Sequence, residues 1–466
     1  MKYHSTRGKA PVLDFAEVVL TGLARDGGLY VPECYPQFST AQWQALRGKS
    51  YQELVFEVMQ PFVGNTIKPD VLKRLINEAY AGFRHQAIAP IIQLGHNHFL
   101  LELFHGPTLA FKDYALQLLG KLFDHLLHER GERLTIIGAT SGDTGSAAIE
   151  ACRDKDTIDI FILHPHNRTS EIQRKQMTTV LSPNVYNIAL QAPFDDCQTI
   201  VKSLFNDLEF RDQYKLSAVN SINWARILAQ VVYYVYAALN LGAPERSVSF
   251  AVPTGNFGNV FAAYVAKRMG LPIKMLAVGT NKNDILTRFF ETGKMSTEAV
   301  APSIAPSMDI QISSNFERLL FDAHNNDAVL VEKTMATFKE TGIFSVSSDV
   351  FTELRKTFVG GRLDDESITQ VIRDTYKRTG VLIDPHTAIA CAPSLLKQLP
   401  EDAVKVSLAC AHPAKFPTAV NTAVGISPAL PTFLKDLFDR EESFTVLEND
   451  KAAVQAFVEK KLVAQE

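Results

Sequence analysis

The sequence predicts an α/β protein with two open, twisted, parallel-rich sheets, preceded by a mostly helical N-terminal segment. Three observations predict it. Short runs of β-branched and large apolar residues alternate with helical patterns through most of the 466 residues, the signature of parallel strands covered on both faces. Two of these runs end in glycine-rich loops, at 138–146 and 253–259, that lead directly into helical patterns. The N-terminal stretch carries helical periodicity without comparable strand runs.

In chain order, apolar spacing predicts helices over 13–24, 51–63 and 69–80. A Gly-Pro turn then precedes Lys112, and Leu116, Leu119, Phe123, Leu126 and Leu127 recur at helical spacing beyond it, with Asp113 as the expected cap. Strands are predicted at 134–137, 158–163, 248–252, 273–278 and 404–408. The apolar run 227–241 contains Gln230 and Asn240 and is shorter than a membrane span, so it predicts a buried helix. Residues 242–246 punctuate the chain as a connection between sheet-containing units or as a loop inside one of them. The acidic stretch around 439–442 is expected to be solvated surface. No fixed-period repeat and no low-complexity tract interrupts this order.

A chain of 466 residues exceeds what one core organises, so two or three domains are expected. The formal net charge of -4, with 21% charged and 46% hydrophobic residues, offers no electrostatic footprint for nucleic acid or a membrane surface. Cys34, Cys152, Cys197, Cys391 and Cys410 are scattered and odd in number, which predicts neither a disulfide framework nor a thiolate metal site. The first nine residues lack the apolar core of a secretory signal. A cytoplasmic protein is therefore expected.

The chemistry starts at Phe104-His105-Gly106-Pro107-Thr108-Leu109-Ala110-Phe111-Lys112-Asp113. A lysine there, flanked by apolar residues at a helix start, meets desolvation and the positive end of the helix dipole, both of which disfavour its charged form. A neutral amine is what imine chemistry needs. A surface lysine is the default alternative, and the two glycine loops argue against it. Gly138-Ala139-Thr140-Ser141-Gly142-Asp143-Thr144-Gly145-Ser146 offers backbone amides, hydroxyls and a helix N-terminus to an anion, and Pro253-Thr254-Gly255-Asn256-Phe257-Gly258-Asn259 repeats the device. Neither loop has the lysine of a Walker motif, and the strand after the first ends at His164-Pro165 rather than at a ribose-binding acid. A lysine, a phosphate loop and a second anion site are the three parts that pyridoxal phosphate requires.

The same segments resemble the signatures of the threonine synthase family, pyridoxal-phosphate enzymes of the tryptophan-synthase-β-like fold, fold type II. The resemblance also takes in Ser5-Thr6-Arg7, Gly27-Gly28-Leu29-Tyr30, Asn220-Ser221-Ile222-Asn223-Trp224-Ala225-Arg226, Ser313-Ser314-Asn315-Phe316-Glu317-Arg318, Asp384-Pro385-His386-Thr387-Ala388 and Ala411-His412-Pro413-Ala414-Lys415-Phe416. It implies a carbon–oxygen lyase acting on phosphates: O-phospho-L-homoserine and water become L-threonine and phosphate by γ-elimination and β-hydration. It implies Lys112 as the Schiff-base lysine and catalytic residue. Gly255, Asn256, Phe257, Gly258 and Asn259 are implied at the cofactor phosphate and Cys410 at the pyridine nitrogen. Thr140, Ser141, Gly142, Asp143 and Thr144 are implied at the substrate, with Thr144, Asn220, Ser221 and Arg226 at its leaving phosphate.

On this reading residues 1–98 form the helical segment, 99–134 with 246–466 the large cofactor-binding domain, and 135–245 a smaller mobile domain. The expected partner is the small-molecule substrate, with no nucleic acid, no membrane, no metal, and a monomer or homodimer as the assembly. Arg226 has a helix-surface alternative, and Asn220 and Ser221 have an alternative as caps of the helix that follows. Two departures stand out: Cys410 replaces the usual threonine or serine, with a buried structural thiol as its alternative, and 166–171 lacks the family's glycine and proline. His96, His98, His164 and His166 look like ligand pairs without a third ligand, and packing is the simpler account of His105 and His412. The rival functions are a phospho-lyase giving 2-oxobutyrate, ammonia and phosphate, and a non-catalytic binding protein.

Overall fold

The computed structural model describes residues 1–218 and 221–463. The chain divides into two compact units. The first comprises Met1–Val18, Leu23–Phe111 and Ser221–Ala429, and the second Val19–Gly22, Lys112–Asn220 and Leu430–Glu466.

In the first unit six strands form a sheet in the order Phe358–Arg362, Ile273–Thr280, Val248–Pro253, Val404–Ala409, His98–Glu102 and Ile91–Gly95. Neighbours run parallel except the last two, an antiparallel hairpin turning at His96-Asn97. The strand Val248–Pro253 is buried at every position, as a strand covered on both faces must be. Phe250 pairs with Leu276 on one side and Val406 on the other, so the chain leaves the sheet between two neighbours as it enters the loop after Pro253. Leu100, Ala251, Ala277, Ile389 and Leu395 belong to the core on this sheet.

The N-terminal helices follow the expected periodicity. Tyr51–Val63 opens on a capping box between Ser50 and Glu53, and Pro69–Tyr80 opens on a proline whose missing amide costs nothing at that position. The helix expected over 13–24 is shorter, Phe15–Thr21, because Gly22 adopts φ +67° and ends it. A short antiparallel pair, Tyr3–Ser5 with Tyr30–Pro32, also lies in this region. The apolar run after Asn223 is the buried helix Trp224–Asn240, capped by the Asn223 side chain accepting from Ala225 N at 2.9 Å. Ser221 is therefore not its cap, and Asn220 lies outside the described residues. Residues 242–246 join this helix to the strand Val248–Pro253 within the first unit.

In the second unit five strands, all parallel, run in the order Thr445–Leu447, Val185–Leu190, Ile158–Pro165, Leu134–Ala139 and Leu216–Ser217. Ile137, Phe161, Leu163, Ile188, Leu204 and Val458 lie in its core. The helix Lys112–Arg130 packs on the helix Asp143–Cys152 at Gly120, where an added Cβ would collide with Ala151 O. This helix starts at Lys112, so Asp113 sits inside the first turn with its side chain buried rather than capping from outside. In the charged stretch 439–442, Asp439 and Glu441 are exposed as expected, and Glu442 differs. Glu442 accepts from Arg174 Nε and Nη2 at 2.9 and 3.1 Å and from Thr178 Oγ1 at 2.6 Å, so it anchors a helix rather than facing solvent.

Candidate active site

The first glycine loop and Lys112 belong to the second unit. The strand Leu134–Ala139 delivers the chain to Thr140, whose buried Oγ1 accepts from the amides of Gly142 at 3.0 Å and Gly145 at 2.9 Å. Thr140 thus shapes the loop with its hydroxyl oxygen. Gly142 has φ +144°, a conformation open to glycine. Asp143 then begins the helix Asp143–Cys152. Among the described residues the amides of Ser141 and Thr144 meet no protein acceptor, which leaves two donors and a helix N-terminus for an anion. Ser141 is exposed and Thr144 half-buried.

Asp143 is 5% exposed. Its Oδ2 lies 3.4 Å from Lys112 Nζ, and its Oδ1 accepts from Gln173 Nε2 at 2.9 Å. The expectation for Lys112 rested on desolvation and the helix dipole alone; the structure adds a buried carboxylate as its ion-pair partner. Asp143 was expected among the substrate-binding groups, and Gln173 was not singled out at all, since nothing in sequence spacing points from 173 to 143.

The second glycine loop belongs to the first unit. Thr254 N donates to Gly279 O at 2.8 Å, Ser313 Oγ to Gly255 O at 2.7 Å, and Asn315 N and Nδ2 to Asn256 O, each at 3.0 Å. With the carbonyls so held, the amides of Gly255, Asn256, Phe257 and Gly258 donate to no protein acceptor among the described residues. Phe257 takes φ +63°, unusual for a residue with a side chain, and its buried ring packs on Phe316, Phe358 and Phe290. Aromatic packing thus compensates backbone strain that aims the loop. An added Cβ at Gly255 would lie 3.2 Å from Ser307 O, so the backbone there stays bare. A row of unmatched amides at the start of the helix Gly258–Arg268 fits a phosphate.

At the next position, Asn259 is buried and its Oδ1 accepts from Tyr233 at 2.5 Å and Tyr234 at 2.7 Å. Two tyrosine donors fix which end of the amide is oxygen, and Nδ2 accordingly donates to Cys410 Sγ at 3.5 Å. Cys410 follows the strand Val404–Ala409, and its carbonyl accepts from Phe111 N at 2.8 Å. The structure therefore brings Asn259 and Cys410 together, while the tyrosine pair carried no sequence signal beyond helix periodicity.

Arg226 stands in the first turn of the helix Trp224–Asn240 and is 4% exposed, which removes the helix-surface alternative. Burial lowers its pKa to about 10, so it stays cationic at neutral pH. Ser221 Oγ lies 3.3 Å from Ser314 Oγ, and Ser221 O accepts from Asn315 Nδ2 at 3.1 Å. Arg318, fully buried, donates to Tyr30 O at 3.1 Å and Ile222 O at 2.5 Å. Asn315 thus ties the Ser221 segment to the loop carrying Asn256.

Three of the histidines noted in the sequence find ordinary partners, while neither ring nitrogen of buried His164 meets one among the described residues. His98 pairs with Ser407 Oγ at 2.8 Å and His105 with Glu102 Oε2 at 2.6 Å. His412 Nδ1 accepts from Ala414 N at 3.1 Å, and burial pushes its pKa down to about 4.

Residues 2–80 match the family model for the threonine synthase N terminus, 86–338 that for pyridoxal-phosphate dependent enzymes, and 387–458 that for the threonine synthase C-terminal region. Over 459 residues the chain is 54% identical to the threonine synthase of Pseudomonas aeruginosa, covering 98% of each. A crystal structure of PLP-bound threonine synthase from Brucella melitensis matches with a TM-score of 0.97 at 54% identity, covering 99% of both chains. The yeast threonine synthase structure matches at 0.94 and 39% identity, again over 99% of each. With near-complete coverage on both sides and three family regions in chain order, the chain belongs to the threonine synthase family.

Proposed function

We propose that this chain converts O-phospho-L-homoserine and water to L-threonine and phosphate with pyridoxal phosphate as cofactor. The observation that carries the reading is the pair of loops: four amides at 255–258 with no acceptor among the described residues in one unit, and Lys112 paired with Asp143 of the 140–145 loop in the other. Family membership adds the reaction.

Lys112 is the covalent attachment point, Gly255, Asn256, Phe257, Gly258 and Asn259 hold the cofactor phosphate, and Cys410 is the group offered to the ring nitrogen. When bound, pyridoxal phosphate supplies an electrophilic carbon for amines and a conjugated ring that stabilises negative charge on the substrate. Lys112 Nζ, when free, takes and returns protons at the substrate's α and β carbons. The loop holding Thr140, Ser141, Gly142, Asp143 and Thr144 binds the substrate carboxylate through backbone amides. Asp143 serves Lys112 with its side chain, because a carboxylate repels an anion. Arg226 offers the leaving phosphate a poorly solvated guanidinium able to form two parallel hydrogen bonds, with Thr144, Asn220 and Ser221 completing that site.

The enzyme is cytoplasmic on this reading and works as a monomer or homodimer without nucleic acid. Its support is the composition, together with the finding that among the described residues no helix is long and apolar enough to cross a membrane. The test is to add O-phospho-L-homoserine to the purified holoenzyme and assay phosphate, threonine and 2-oxobutyrate together. Equal phosphate and threonine are expected. Phosphate with 2-oxobutyrate would assign the phospho-lyase instead, and no phosphate release would leave a binding protein.

A further inference from the structure

We propose that Gln173 is a positioning residue for the amine of Lys112, acting through the carboxylate of Asp143. The inference rests on the catalytic role of Lys112 proposed above. All four residues of the network, Lys112, Asp143, Ser170 and Gln173, lie in the second unit.

Gln173 stands in the first turn of the helix Glu171–Thr178 and is 5% exposed. Its Nε2 donates to Asp143 Oδ1 at 2.9 Å, and its Oε1 accepts from Ser170 Oγ at 2.9 Å. Turning the amide over would set its oxygen against a carboxylate and its NH2 against the Ser170 hydroxyl, so one orientation satisfies both neighbours. Ser170 is itself fixed as the helix N-cap, its Oγ accepting from Gln173 N at 3.3 Å. Gly142 packs against the same side chain so closely that a Cβ there would lie 2.5 Å from Gln173 Cδ. The bare backbone at 142 is therefore the space the glutamine occupies.

These constraints lock the amide, and the amide locks the carboxylate. A buried aspartate at a helix N-terminus has the amides of its own first turn as competing donors. Anchoring Oδ1 on Gln173 leaves Oδ2 facing Lys112 Nζ at 3.4 Å. The glutamine does this without adding a charge of its own beside Lys112 and Asp143. When the amine is free of the cofactor, it is held within reach of a fixed acceptor, and its orientation for proton transfer is set before the reaction.

Two substitutions separate orientation from packing. Gln173→Glu keeps the shape but places a second carboxylate against Asp143; such a pair shares a proton at raised pH, and the protonated acid restores the missing donor. Gln173→Met keeps the bulk and donates at no pH. The charged groups around position 173 include Asp143 and Lys112 on one side and, on its own helix, Glu171 in the same first turn and Arg174 and Lys175 with their partner Glu442. His164, next to this pair in charge, has its pKa pushed down to about 4 by burial and stays neutral over the range used.

In the holoenzyme both variants are expected to lose kcat by on the order of tenfold at about pH 8, with KM for O-phospho-L-homoserine little changed. The ratio of the Gln173→Glu variant to wild type then rises as the pH falls to about 6, while that of Gln173→Met stays flat. Independently of turnover, acetic anhydride labelling of Lys112 in cofactor-free protein, read by peptide mass, is expected to be faster in Gln173→Met, because the amine loses its oriented partner. If the substitutions at 173 prevent folding, Ser170→Ala frees Oε1 and is expected to speed the same labelling. Two flat pH ratios, or labelling of Lys112 at the wild-type rate, would overturn the inference. A wild type that makes no threonine would overturn the proposed function instead, while the labelling still decides the role of Gln173.

Discussion

Arg226 shows how far a single residue can be read. Its helix position followed from apolar spacing, but its 4% exposure did not, because burial depends on what packs over the first turn. A cation so poorly solvated interacts strongly with an anion that reaches it. Arg226→Ala is expected to raise KM for O-phospho-L-homoserine by roughly tenfold to a hundredfold, equivalent to about 1.5–3 kcal/mol for charged hydrogen bonds, with a smaller change in kcat. Steady-state kinetics would check it, and an unchanged KM would remove Arg226 from the phosphate site. Lys112 was legible because a Gly-Pro turn and a helix start bracket it. Gln173, Tyr233 and Tyr234 were not, because each acts on a residue brought near by tertiary structure, and a glutamine or tyrosine on a helix looks the same in sequence whether it packs or positions.

At the level of elements, periodicity predicted strands and helices well where packing reinforces it. Tyr51–Val63 and Pro69–Tyr80 have the expected limits because a capping box and an N-terminal proline mark their starts. An end without such a mark moved, where Gly22 shortened one helix, while the helix from Trp224 starts where expected with Asn223 as its cap. The glycine loops were recognisable as strand–loop–helix units, yet the φ +63° of Phe257 and its aromatic support were hidden, since long-range contacts pay for the strain. Gly120 was equally silent. Because a Cβ there meets Ala151 O, Gly120→Ala is expected to destabilise the second unit by about 1–3 kcal/mol through overpacking, lowering its melting temperature by several degrees. Thermal unfolding without a shift would mean that the two helices can separate at little cost.

Across the whole molecule, the alternating pattern identified parallel sheets because strands buried on both faces read as near-continuous apolar runs, as in Ile160-Phe161-Ile162-Leu163 within the strand Ile158–Pro165. The order of strands within each sheet was not readable, since Val404–Ala409 inserts beside Val248–Pro253 from far along the chain. Glu442 likewise gave no sign that it closes on Arg174, because charge at the end of a sequence looks solvated until a partner is known. Lys112 and its carboxylate lie in one unit and the amide row at 255–258 in the other, and the proposed function gives each a separate role. The most direct measurement is borohydride reduction of the holoenzyme followed by peptide mass mapping, which makes the bond between cofactor and lysine permanent. The account predicts the added pyridoxyl phosphate mass on the peptide containing Lys112. That mass on a different lysine, or no labelled peptide from protein that carries the cofactor, would contradict it.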